Sequence, residues 1–128
     1  MQFAIGVVLY DQGQYSAAES IFRVVLKERD RVLGSEHSDT LVARSRLENA
    51  LYYQGKYGES EAEARALLAI QEKTLGTERP ETLKTRNNLA TTLFAQGKYA
   101  ESETEFRALI ELKEKVFGPE DLDRKSVV

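Results

Sequence analysis

The chain has 128 residues, 41% hydrophobic and 30% charged, with a net charge of -3 and no cysteine. This excludes a disulfide framework, a thiolate metal site and a cysteine nucleophile, and it argues against wholesale binding of nucleic acid or an anionic membrane surface. No apolar stretch approaches the roughly 20 residues needed to cross a bilayer, so the reading is a soluble, cytoplasmic protein.

The first element is an apolar run from Phe3 to Tyr10. No Lys or Arg precedes it, and Leu9 and Tyr10 return as Leu51 and Tyr52, so it reads as part of a repeat and not as a secretion signal. Directly after it stands Gln12-Gly13-Gln14-Tyr15, which returns as Gln54-Gly55-Lys56-Tyr57 and Gln96-Gly97-Lys98-Tyr99, each step being 42 residues. Gly34, Gly76 and Gly118 keep the same step. Repetition at a fixed period of this size is the mark of stacked structural units. Three repeats, about 1–36, 37–78 and 79–120, fill residues 1–120, and 121–128 reads as a tail in which a truncated fourth copy starts.

Each copy divides at its Gly-x-Tyr landmark into two helices, A and B. In the first copy, helix A starts at Met1 or Gln2 and helix B runs from Tyr15 to Leu33. The second copy occupies about Ser38 to Gly76. In the third, Leu83, Leu89, Ala90 and Leu93 lie near one stripe of a helix from Pro80 to Gln96. Proline suits a first helical turn, and Gly97 supplies a left-handed cap that ends helix A. Helix B follows from about Tyr99 to Val116, with Tyr99, Ser102, Phe106, Leu109, Ile110 and Val116 along one side. On its charged side, Glu103 precedes Arg107 by four residues, as Glu61 precedes Arg65 in the second copy, and each such pair adds roughly 0.2–0.5 kcal/mol. No segment alternates with period two for long, so the fold class is all-α.

Little in the chain supports catalysis. His37 is the only histidine, it lies in the turn before a helix, and a surface or capping role fits it. The glutamates at 59, 61 and 63, repeated at 101, 103 and 105, are spread around a helix by their spacing of two and read as a solvated face. None of the glycines has the spacing of a phosphate loop. The expectation is a protein that is not an enzyme and needs no cofactor or metal.

Aligned on the glycines, the copies share Leu47 with Leu89, Leu51 with Leu93, Tyr57 with Tyr99, Ala18 with Ser60, and Phe22 with Phe106. Together with GTERPETLKTRNNLATTLFAQGKYAESETEFRALIELKEKVFG and GSEHSDTL, this resembles the tetratricopeptide repeat, in the 42-residue variety found in kinesin light chains and many bacterial signalling proteins. The resemblance covers roughly Phe3 to Glu120. It implies a right-handed superhelical solenoid of about three antiparallel helix-turn-helix repeats whose A helices line a concave groove. Carried onto this sequence, the groove takes Phe3, Val7, Tyr10 and Asp11, then Val42, Ser45, Arg46, Asn49, Tyr52 and Tyr53, then Lys84, Asn87, Asn88, Thr91 and Phe94. The peptide-binding candidates among them are Arg46, Asn49, Tyr52, Tyr53, Lys84, Asn87, Asn88 and Thr91. Amides can bond a peptide backbone and cations can meet carboxylates, while some of the rings can equally pack between neighbouring helices.

The implied function is a non-catalytic protein-interaction module that holds a peptide or helix of a partner, one bearing acidic side chains or a free carboxylate. A structural, self-assembling segment and a regulatory sensor arm of a larger signalling protein stand as alternatives. Three departures from the family pattern fall in the middle copy. Glu48 stands where Gly6 and Ala90 are small, with Arg44 one turn earlier as its expected partner; Ser38 replaces the proline seen at Pro80; and Ala64 replaces the ring of Phe22 and Phe106, which suggests looser packing there. At the ends, Phe106, Leu109 and Ile110 on one side and Ile5 or Val8 on the other are expected to be left uncovered, which predicts self-association through the repeat ends.

Overall fold

In the computed structural model, residues 1–118 are described, so the array limit expected at residue 120 and the tail at 121–128 lie outside them. The described chain is six α-helices in sequence: α1 (Gln2–Asp11), α2 (Tyr15–Leu33), α3 (Ser38–Tyr53), α4 (Tyr57–Thr74), α5 (Pro80–Ala95) and α6 (Tyr99–Phe117). Each helix packs chiefly on the one before and the one after it. The architecture is all-α, three helical hairpins laid side by side.

The turn chemistry sets the helix ends. Gly97 has φ +78°, a conformation open to glycine without strain. Its amide donates to the Phe94 carbonyl at 2.9 Å, and the next amide, that of Lys98, donates to the Leu93 carbonyl at 2.9 Å. Those two bonds satisfy carbonyls that the last helical turn leaves open, and Gly55 with Lys56 repeats them against Tyr52 and Leu51. At the start of α5, Pro80 sits in the first turn. The start of α3 is capped by His37, whose Nδ1 accepts the Asp39 amide at 3.0 Å, which accounts for the lone histidine.

Two clusters of buried apolar side chains lie between hairpins. Ala18 and Phe22 of α2 close on Leu47, Ala50 and Leu51 of α3, and Ala64 and Leu68 of α4 close on Leu89 and Leu93 of α5. This is how a stacked array makes a core that no single hairpin could bury. Within each hairpin the approach is close. Ser60 Oγ donates to the Glu48 carbonyl at 3.1 Å and Ser102 Oγ to the Ala90 carbonyl at 2.8 Å, so the small residue in α4 and α6 also satisfies a carbonyl of the helix it touches.

The departures in the middle copy form a volume exchange. A Cβ on Gly6 would lie 2.7 Å from Cε1 of Phe22, so the small residue of α1 exists to admit the ring of α2. The 42-residue register places Glu48 and Ala64 in those same two positions, with the long side chain now on the A helix. Both are buried, at 2% and 0% exposure, so neither position of the middle copy is open to solvent.

Two expectations are corrected. Arg44 does not pair with Glu48; it reaches Glu63 on α4 at 2.7 Å, just as Arg86 reaches Glu105 on α6 at 2.6 Å. The part-exposed hairpin edge lets a guanidinium pair while keeping some water, whereas meeting Glu48 would mean desolvating it. Nor are the B-helix glutamates a uniformly solvated face. Glu59, Glu101 and Glu103 are exposed, but Glu63 and Glu105 bridge to the A helices, and Glu61 is drawn into a clasp between hairpins.

That clasp occurs twice. Glu19 accepts from Arg23 on its own helix at 2.7 Å, and from Gln54 at 2.8 Å and Lys56 at 3.0 Å across the junction with the next hairpin. One period later Glu61 accepts from Arg65 at 2.7 Å, Gln96 at 2.7 Å and Lys98 at 3.1 Å. Burial pushes the Glu19 carboxyl up, but the bonds from Arg23, Gln54 and Lys56 outweigh it and bring it down to about 2. The bonds from Gln96 and Arg65, then Lys98, likewise hold Glu61 down at about 2. Each carboxylate therefore stays ionised and fastens one hairpin to the next.

Candidate functional site

Two adjoining cavities open along the seam where α3 and α5, the A helices of neighbouring hairpins, run side by side. One, of about 210 Å³, is walled by Glu48, Asn49, Tyr52 and Tyr53 of α3 and by Asn87, Asn88, Thr91 and Thr92 of α5. The other, of about 310 Å³, lies nearer the N-terminal ends of both helices and is lined by Leu41, Val42 and Ser45, by Glu81, Lys84 and Asn88, and by Thr74 and Leu75 at the end of α4. Asn88 lines both and stands between them.

Of the peptide-binding candidates, Asn49, Tyr52, Tyr53, Asn87, Asn88 and Thr91 meet around the first cavity, and Lys84 lines the second. Arg46 does not line either; it sits on the α1 side of α3, where its charge is felt by Tyr10. The polar groups differ in availability. Thr91 Oγ1 donates back to the Asn87 carbonyl at 2.9 Å and Thr92 Oγ1 to the Asn88 carbonyl at 2.9 Å. The side-chain amides of Asn49 and Asn87 make no hydrogen bond among the described residues. Arg46 and Lys84 likewise have no ion pair there, whereas Arg23, Arg44, Arg65 and Arg86 each close on a carboxylate.

The rings are mostly engaged with one another. Tyr10 meets Tyr15 edge-on at 5.3 Å, Tyr52 meets Tyr57 at 5.3 Å, and Phe94 meets Tyr99 at 5.2 Å, so the same aromatic pair closes the turn of every hairpin. Phe94 looks away from the α3–α5 seam, toward a cavity beside α6. Phe3 packs on Phe22 with the Arg29 guanidinium over its ring, and Val7 packs against the core. Tyr53 stacks on Tyr15 at 5.2 Å and meets Tyr52 edge-on at 5.3 Å while remaining 56% exposed. Burial first, then the neighbouring Tyr53 and Tyr15, push the Tyr10 phenol up to about 12.

Glu48 is the wall residue that spacing did not assign to the site. Its carboxyl is buried in the seam with Oε2 lacking a hydrogen-bond partner. Burial pushes it up to about 7, against weaker downward pulls from Asn88 and Lys84. Among the described residues there is no cluster of three or more His, Asp or Glu that could hold a metal ion, and no helix is long and apolar enough to cross a membrane.

Hairpins stacked at a 42-residue period around a seam of A helices define a helical repeat array. The profile of the tetratricopeptide repeat matches residues 1–73 and again residues 49–115, and the chain belongs to that family. Such repeats generally serve as protein-interaction modules and are typically non-catalytic. The fold is similar to two solved structures of a Podosopora anserina putative kinesin light chain with nearly identical TPR-like repeats. The first, at TM-score 0.80 and 25% identity, covers 91% of this chain and 55% of that one. The second, a point-substituted form of the same protein, superposes at TM-score 0.78 and 25% identity over 90% of this chain and 54% of that one. The chain thus spans about half the length of these structures. No curated protein matches it.

Proposed function

We propose that the chain is a non-catalytic interaction module that takes an extended peptide or a helix of a partner protein along the seam of α3 and α5, with Arg46 and Lys84 selecting for carboxylates. The observation that carries this reading is the contrast in pairing. Many cations of the array are bound to glutamates within or between hairpins, yet Lys84, which lines the seam, has no ion pair among the described residues, nor does Arg46 on the α1 side of α3, and the amides of Asn49 and Asn87 in the seam are unengaged. Amides of this kind can bond both the N–H and C=O groups of a peptide backbone, and Tyr53 offers an exposed ring beside them. A ligand bearing acidic side chains or a free C-terminus complements this lining.

The test is capture with the whole chain as bait, peptide mapping of what is retained, and binding measured with the mapped peptide. Retained peptides should be rich in Asp and Glu, or should end at a free carboxylate. Arg46→Glu with Lys84→Glu should abolish binding while the helical signal and melting temperature stay close to the parent, since surface substitutions usually cost within about 0.5 kcal/mol. Raising the salt should weaken binding, because exposed charges are screened over roughly 10 Å at 0.1 M. A ligand that binds the double variant as tightly as the parent, or whose footprint maps to the B helices, would sink the reading.

A further inference from the structure

The cavity between Tyr52 and Thr91 has a single acidic or basic residue in its wall, and that residue is an acid. Glu48 is 2% exposed, its Oε2 has no hydrogen-bond partner, and neither Arg46 nor Lys84 lines this cavity with it. The groups around the carboxyl are rich in acceptors. Thr91 and Thr92 direct their hydroxyl hydrogens to the Asn87 and Asn88 carbonyls at 2.9 Å each, which leaves the hydroxyl oxygens able to accept. The amide oxygens of Asn49 and Asn87 are unengaged among the described residues, and the wall also carries Tyr52 and Tyr53, a residue type whose ring attracts cations.

An ionised carboxyl buried without a counter-charge is costly, and only a proton or a cation relieves it. The helices packed around Glu48 bring it no cation to bond. Burial is the largest influence on its proton, followed by Asn88 of α5, then Glu63 of α4, with Lys84 of α5 last. Glu63 is a like charge and is already closed on Arg44 at 2.7 Å. The arrangement is peculiar to the middle copy, since Gly6 and Ala90 stand one period to either side.

We infer that this cavity is a cation pocket, in which the guanidinium of an arginine on the bound partner segment meets Glu48 and the oxygens of Asn49, Asn87 and Thr91. A guanidinium is planar, carries five donors and sheds water more readily than an ammonium, so it suits a partly enclosed site of about 210 Å³ walled by several acceptors. The inference rests on the reading of the seam as a peptide site, and it adds an order to the ligand. The arginine lies at the Tyr52 end, and acidic groups lie toward Lys84, nearer the N-terminal ends of α3 and α5. Opposite charges at the two cavities then fix which way the ligand runs along the seam.

The experiment is an NMR titration of the whole chain and of Glu48→Gln. The probes are N-acetyl-arginine amide, its uncharged isostere N-acetyl-citrulline amide, and a short blocked alanine peptide with one central arginine. The arginine probe should shift the side-chain amide signals of Asn49 and Asn87 and lower the pH at which the Glu48 carboxyl titrates. It should bind Glu48→Gln roughly ten-fold or more weakly, the worth of a charge-assisted hydrogen bond. Its binding to the parent should tighten as the pH rises through about 7 and then level off, because Glu48 is neutral below that value and charged above it. Glu48→Gln should show no such step, which a purely structural role for Glu48 would not predict. The alanine peptide should bind more tightly than the single residue, because its backbone also reaches the seam amides. Equal affinity would assign the pocket to a small organic cation and overturn the peptide as its source. The inference is overturned as well if citrulline binds the parent as tightly as arginine does, if Glu48→Gln loses nothing, or if the affinity is flat with pH. None of the probes carries a carboxylate, so these outcomes stand apart from the selection of acidic ligands, which the charge-reversed Arg46 and Lys84 variant decides.

Discussion

Replacing Glu48 by Gln should stabilise the protein, and only at neutral and alkaline pH. Glu48 is 2% exposed, and burial raises its carboxyl from 4.5 to about 7. Below pH 4.5 the group is neutral folded or unfolded and costs nothing. Between 4.5 and about 7 the unfolded chain releases the proton while the folded chain keeps it, so stability falls as pH rises; above about 7 the full penalty is present. The interval corresponds to about 3 kcal/mol at 1.36 kcal/mol per pKa unit. Glutamine has nearly the same shape and never ionises. Urea unfolding followed by circular dichroism should therefore find parent and Glu48→Gln close at about pH 4.5, with the variant about 1–3 kcal/mol more stable at about pH 8. In a thermal scan at the higher pH the gain corresponds to roughly 3–10 °C for a chain of this size. The same difference at both pH values, or a variant weaker at the higher one, would refute the reasoning.

Gly97→Val should cost about 1–2 kcal/mol, because φ of +78° is strained for a β-branched residue. No atom lies within 4 Å of the new Cβ, so the penalty is conformational and not steric, and a variant melting with the parent would count against the cap. Ser60→Leu should cost roughly 1–3 kcal/mol through overpacking, with the loss of the bond to the Glu48 carbonyl in addition, and denaturant midpoints will show it. A neutral result would mean that α3 and α4 part readily at this point.

Why some features were legible in the sequence and others were not follows from how each is encoded. The period from Gly13 to Gly55 to Gly97 gives the hairpins, their helix ends and the left-handed caps, since all depend on residues adjacent in the chain. Six of the seam residues carried over from the family do meet around one cavity. Where the reading failed, the partner was on another helix. Arg44 had Glu48 at the right spacing on its own helix yet took Glu63 across the hairpin, and linear spacing does not say which flank of a helix stays wet. Spacing likewise left open which rings face a ligand and which pair across a turn, as Tyr52 does with Tyr57 and Phe94 with Tyr99. The clasp, by contrast, had a visible signal: Glu19 and Glu61 repeat in step with Gln54 and Gln96, and with Lys56 and Lys98.

Because two buried apolar clusters and both clasps lie between hairpins, the segment that repeats along the chain and the segments so joined are out of phase by half a period. The sequence copies α3 with α4, but the dry contacts and the clasp join α2 to α3 and α4 to α5. A cut at a repeat boundary therefore severs the buried apolar contacts and the clasp, whereas a cut between α3 and α4 severs the buried serine contact and the Arg44–Glu63 bridge.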